Sequence, residues 1–166
     1  MCIAAFISAR DRTRPWAILR EISWGVLPLV AGLFVLVEAI NSAGALHHSQ
    51  AALGALRQWR PLGAALTAAF GAGIGTNLVN NLPLGLIAGA SVRAAHVTGA
   101  LRSAVLIGVD LGPNLSVTGS LATILWLIEI RKEGLNVSAW KFLKAGFIVM
   151  PPALALATAA AAIFGR

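Results

Sequence analysis

Charge is scarce in this chain. Lys, Arg, Asp and Glu make up 11% of its 166 residues, less than half of the ~25% with which a soluble domain covers its surface. A chain that is 58% hydrophobic, with a mean hydropathy of +0.81, has no polar coat to present to water. Lipid must be its solvent over most of its area. Cysteine is scarcer still. Cys2 stands alone, which excludes an intrachain disulfide and a thiolate metal cluster built from this chain. No phosphate-cradling glycine loop is followed by lysine, so ATP hydrolysis through that motif is excluded. No serine stands in a nucleophile-elbow frame. His47, His48 and His96 have no metal-ligand spacing with one another or with a carboxylate. The chain therefore reads as a non-enzyme, with no catalytic residue, metal or cofactor of its own.

The usual order of a secretory signal is missing too. Such a signal places charge before its apolar core; here residues 1–9 are apolar, and Arg10, Asp11, Arg12 and Arg14 follow. Nine residues cannot span a bilayer, so this run reads as the tail of a helix whose beginning is missing. What is abundant is positive charge, +7 net with a pI near 11.4. In a soluble protein that excess would point to nucleic acid. Here the cations lie between apolar stretches, as in the positive-inside pattern, so nucleic acid is not the expected partner.

Each span needs about 20 apolar residues. On that ruler the chain reads as one all-α polytopic membrane domain over residues 1–166. It opens with the truncated helix end at 1–9, followed by a span at 23–44. A short stretch at 49–60 follows, either lying in the interface plane or simply connecting. Residues 61–96 form two short arms, 62–73 and 84–95, around the polar run Gly75-Thr76-Asn77-Leu78-Val79-Asn80-Asn81-Leu82-Pro83. That pattern predicts a re-entrant hairpin, whose non-helical backbone must be buried in protein or line a cavity. Residues 101–130 form a span unwound at its centre around residues 110–120. Pro113 there is expected to disfavour helical geometry at Gly112. A last span is predicted at 142–164, kinked at Pro151-Pro152. The basic loops at residues 10–20 and 131–144 are assigned to the cytoplasm; Arg57, Arg60, Arg93 and Arg102 then face outward.

Two polar breaks in successive apolar segments are the main functional signal, because discontinuous helices near the midplane build the substrate sites of many secondary transporters. Thr76, Asn77, Asn80 and Asn81 stand at the first break. Asn114, Ser116 and Thr118 stand at the second. These seven are the candidate substrate-binding residues. The alternative is that they serve as polar glue between helices. Asp110 and Glu38 are acids within apolar stretches, where a charge costs ~2.5–3.5 kcal/mol and usually marks a pathway or proton relay. Asp110, at the break, is the better candidate for proton coupling. Glu38 lies nearer a helix end and is read equally well as an interfacial, solvated acid.

At these breaks the sequence resembles the arsenical pump membrane protein family, ArsB. The resemblance is carried by residues 75–83 and by Gly108-Val109-Asp110-Leu111-Gly112-Pro113-Asn114-Leu115-Ser116-Val117-Thr118-Gly119-Ser120-Leu121-Ala122-Thr123. It continues through Leu125-Trp126-Leu127 and Val149-Met150-Pro151-Pro152 and covers essentially the whole chain. The first break alone is similar to the Asn-Xaa-Xaa-Asn-Asn-Xaa-Pro patterns of Na⁺/H⁺ antiporters in the wider ion transporter superfamily. The resemblance implies efflux of arsenite and antimonite across the cell inner membrane, coupled to protons, by a multi-pass protein. It also implies, for some members, a soluble arsenical pump ATPase as partner. The family has about twice as many spans, arranged as inverted repeats. This chain resembles only the C-terminal repeat, so its expected partners include a missing N-terminal half. Na⁺/H⁺ exchange on the same scaffold and a non-transporting fragment of a split or truncated gene are the competing readings.

Overall fold

The computed structural model describes residues 24–164. The expected helix tail at 1–9 and the basic segment at 10–20 lie outside them. Among the described residues the chain is all-helical: α1 (Val26–Ser42), α2 (Ala45–Leu56), α3 (Pro61–Val79), α4 (Asn81–Ala94), α5 (Gly99–Leu111), two single 3₁₀ turns (Gly112–Leu115 and Val117–Gly119), α6 (Leu121–Lys132) and α7 (Ala139–Phe164). The chain divides into two compact units, Met1–Phe34 and Val35–Arg166. The described part of the first is a turn leading into α1, with Leu27, Leu29 and Phe34 exposed. The second holds the candidate site.

α1 stops at Ser42, and Gly44 takes φ +86°, a left-handed geometry that glycine adopts without a Cβ penalty. The pair Leu27–Ser42 and Ala45–Leu56 is apolar enough to cross a membrane together but bends by 65° at this turn. α2 packs inward. Leu53 is 7% exposed within the core, and the Ser49 and Ser91 hydroxyls are 2.5 Å apart between α2 and α4.

α3 corrects the expected hairpin arm. It runs for 19 residues instead of stopping near Gly73, and Thr76 and Asn77 are helical. Pro61 starts it without losing a needed donor, and its alanines are strong helix formers. Gly75-Thr76-Asn77 costs some propensity but does not stop the ladder. The break comes only at Asn80, with φ 73°, ψ 152°. The Asn80 Oδ1 then accepts from Leu82 N at 3.3 Å, capping α4. Pro83 falls in the first turn of α4, where a missing N–H is tolerated. α3 and α7 are each long and apolar enough to cross a membrane; α4, at 14 residues, is not.

The second break is also displaced. Asp110 lies in the last turn of α5, and Gly112 keeps right-handed helical geometry (φ −53°, ψ −42°) despite Pro113. The clash of a proline ring with the preceding residue acts largely on its Cβ, which glycine lacks. The chain extends instead at Ser116 (φ −137°) and Ser120 (φ −145°). α7 stays helical through Pro151 and Pro152.

Small residues set the packing. A Cβ on Gly108 would lie 2.4 Å from Ala69 O, and one on Gly112 would lie 2.3 Å from Gly73 Cα. α3 and α5 therefore run parallel with their backbones nearly touching, as small-xxx-small faces allow between membrane helices. α7 runs antiparallel to α5. Gly146 meets the Asn114 and Leu115 carbonyls, while Leu154 lies against Gly73. The core these helices enclose includes Ala65, Ala69, Ala104, Val105, Met150 and Leu154. Phe147, Ile148, Leu156 and Phe164 stay exposed on α7, the side chains a lipid-facing surface requires.

Candidate functional site

The parallel packing of α3 on α5 carries the end of α3 onto the second break. Asn77 is the meeting point. Its Nδ2 donates to Gly73 O at 2.7 Å, one turn back on its own helix, and to Gly112 O at 2.8 Å across the interface. Its Oδ1 accepts from Ser116 Oγ at 2.7 Å, and its backbone carbonyl accepts from Thr118 Oγ1 at 3.2 Å. Ser116 and Thr118 hydroxyls lie 3.0 Å apart. Asn80 adds a second tie, donating from Nδ2 to Thr118 O at 3.1 Å. The two breaks, separate in sequence, form one polar cluster.

Gly119 makes room for it. A Cβ there would stand 2.7 Å from Asn77 Oδ1 and 2.7 Å from Pro113 Cα. The cluster is bounded by the C-terminal ends of α3 and α5 and by the N-terminal ends of α4 and α6, the latter capped by Ser120 Oγ on Ala122 N at 3.1 Å. Exposed carbonyl and amide ends of opposite partial charge thus meet at one place.

Counting hydrogens separates the members. An amide side chain has two N–H groups and one carbonyl, and Asn77 commits all of them inside the protein. Thr76 is fully buried, its hydroxyl given to Gly73 O at 2.7 Å. Asn80 is 8% exposed. Ser116 is half-buried and Thr118 is exposed, so these two form the open edge. Asn114 stands apart from the cluster, with Nδ2 donating to Leu111 O at 3.0 Å in its own turn. The Asn81 side chain makes no hydrogen bond among the described residues. Neither does the exposed Asp110 carboxylate, one turn below on α5. Among the described residues Glu38 accepts from Ser42 on its own helix, at 3.5 Å, and no hydrogen bond joins it to the cluster. No group of His, Cys, Asp and Glu among the described residues could hold a metal. What sequence reading missed is the backbone side of the site: the carbonyls of Gly73 and Gly112, and the need for Gly119. The glycines were visible, but nothing in their spacing shows which backbone each one admits.

The arrangement predicts a measurable role for Asn77. Asn77→Ala leaves the buried Gly112 carbonyl without its side-chain donor and Ser116 with only the Thr118 hydroxyl, at about 1–3 kcal/mol for a buried polar group. Thermal unfolding of the purified protein in detergent should therefore shift down by several degrees, whereas Asn114→Ala should leave it within a degree or two.

The family model for the arsenical pump membrane protein matches residues 1–164. The arsenical pump membrane protein of Yersinia enterocolitica is 27% identical over 150 residues, covering 88% of this chain and 35% of that protein. The Escherichia coli arsenical pump membrane protein is similar to the same degree, 27% over 150 residues with the same shares. A protein described as an uncharacterized transporter from Mycobacterium tuberculosis is 25% identical over 146 residues, covering 84% of this chain and 34% of its own length. The chain thus spans about a third of the length of the curated relatives it matches. No solved structure matches it.

Proposed function

Because the chain belongs to the arsenical pump membrane protein family, we propose that it forms part of a secondary transporter that exports arsenite and antimonite across the cell inner membrane in exchange for protons. The observation that supports this reading most is the Asn77 cluster, where two helix breaks meet with hydroxyls on their open edge. Such breaks are where secondary transporters hold substrate. Arsenite near neutral pH is mainly the uncharged trihydroxide. Ser116, Thr118 and Asn114 can hydrogen-bond its hydroxyls without a desolvated counter-ion. Asn77 and Asn80 hold the two breaks in place beneath that edge, and Thr76 and Asn81 stand beside them at the first break. Asp110 exchanges the coupling proton, and Glu38 is the second acid available to do so. A further repeat, from the same protein or another, completes the site, and a soluble ATPase is a partner that some transporters of this kind use.

Deleting the gene from its own host tests the reading. The deletion should raise intracellular arsenite and lower the arsenite and antimonite concentrations at which growth stops. These 166 residues expressed alone in an arsenite-sensitive host should give no resistance, since they cover only 35% of the relatives' length. Unchanged arsenite tolerance in the deletion strain, with a loss of sodium tolerance, would overturn the substrate assignment in favour of Na⁺/H⁺ exchange.

A further inference from the structure

The end of the helices away from the Asn77 cluster carries cations that nothing in the described chain neutralises. α3 begins there after Arg60, α4 ends with Arg93 in its last turn, and α5 begins with Arg102 in its first turns. The ion pair among the described residues is Lys132–Glu129, on a different helix, α6. Between α4 and α5 lies a cavity of 510 Å³, lined by Arg93, His96 and Arg102 and, further along, by Gly89, Val92 and Leu106.

The order of these residues along the helices is informative. Leu106 lies four residues beyond Arg102 on α5, and Gly89 four residues before Arg93 on α4. At 1.5 Å per residue, each is ~6 Å further from the helix ends. The α5 wall therefore runs from Arg102 near the helix end to Leu106 one turn deeper, while on the α4 wall the Arg93 guanidinium reaches back towards Gly89. Gly89 leaves room for that side chain: a Cβ there would lie 3.9 Å from the Arg93 Nη1. Thr98 also lines the cavity and makes no side-chain cap on α5, so the first amides of that helix are left for another acceptor. On the neighbouring loop Trp59 is exposed, in the position of an interfacial aromatic anchor.

We propose that this cavity binds an anionic phospholipid, with its phosphate between Arg93 and Arg102 and the start of one acyl chain along Val92 and Leu106. Guanidinium groups pair with phosphate through parallel hydrogen bonds. Basic pockets between membrane helices are a recurrent form of anionic headgroup site. A free phosphate would satisfy the arginines and leave the apolar depth unused. The inference needs only that the chain is a membrane protein, and it is independent of what the Asn77 cluster transports.

Native mass spectrometry of the purified chain in a neutral maltoside detergent tests it, with phosphatidylglycerol, phosphatidylcholine or inorganic phosphate added. Phosphatidylglycerol should be retained roughly tenfold better than phosphatidylcholine, and inorganic phosphate should not compete at equal concentration. The double variant Arg93→Gln, Arg102→Gln should remove that preference. Leu106→Asn, which keeps both charges and makes the apolar wall polar, should weaken phosphatidylglycerol retention as well. Arg131→Gln with Lys132→Gln, on α6, is the control and should change nothing. Equal retention of the two lipids would overturn the proposal, as would an equal loss in the α6 control. Full competition by inorganic phosphate, with no effect of Leu106→Asn, would reduce the cavity to a free-anion site and overturn its assignment to lipid.

Discussion

Gly112→Ala should leave little or no folded protein in the membrane. The added methyl would lie 2.3 Å from Gly73 Cα, 2.6 Å from Gly73 O and 2.8 Å from Gly73 C. All three are backbone atoms and cannot swing aside. Ordinary contact begins near 3.4 Å, so α3 and α5 would have to part by roughly 1 Å, beyond the overpacking that a core absorbs for ~1–3 kcal/mol. Parting them also pulls the Gly112 carbonyl from Asn77. Gly73→Ala is the control. Its methyl would meet the tip of the Leu154 side chain at 3.2 Å, a flexible neighbour that can shift. Detergent-extracted protein should elute as aggregate, or be degraded in cells, for Gly112→Ala, and as the wild-type peak for Gly73→Ala. A wild-type elution profile and melting temperature for Gly112→Ala would show that the helices are further apart than described.

Asp110→Asn should abolish pH-driven arsenite accumulation in everted membrane vesicles from the native host while leaving the amount of inserted protein unchanged. Asp110 is costly where it stands. It occupies the last turn of α5, where the helix dipole disfavours negative charge. Its carboxylate has no hydrogen bond or ion pair among the described residues. That cost is offset by no local bond among the described residues, which is what supports the proposed coupling role. Asparagine keeps the shape and removes the titratable proton. Transport at the normal rate, with unchanged pH dependence, would reduce Asp110 to a passive residue and move proton coupling to Glu38 or to an acid outside these residues.

The sequence made some of this legible and hid the rest for physical reasons. The two polar breaks and the all-helical class were readable because proline, glycine and asparagine punctuate apolar runs in a way that few other folds share. The extent of each break was not. Thr76 and Asn77 looked like unwound backbone because their side chains compete for backbone partners in isolation. In the fold Thr76 and Asn77 both donate to Gly73 O while the helix continues. Asp110 looked as though it lay on the break because Gly112-Pro113 follows it. Yet glycine before proline can remain helical, and the chain extends only from Ser116. The role of Asn77 as a tie across helices needed the parallel register of α3 on α5. That register is set by Gly73 against Gly112, a pairing 39 positions apart that no local pattern encodes.

The tie at Asn77 also sets what can move freely. The end of α3 and the extended turn at Ser116 are tied through the Gly112 carbonyl and, at the open edge, through the Ser116 and Thr118 hydroxyls. Separating the two breaks would leave several polar groups unpaired at once, so their relative motion carries a barrier that sliding past lipid does not. In any rearrangement of the helices the end of α3 and the second break should therefore travel together as one body.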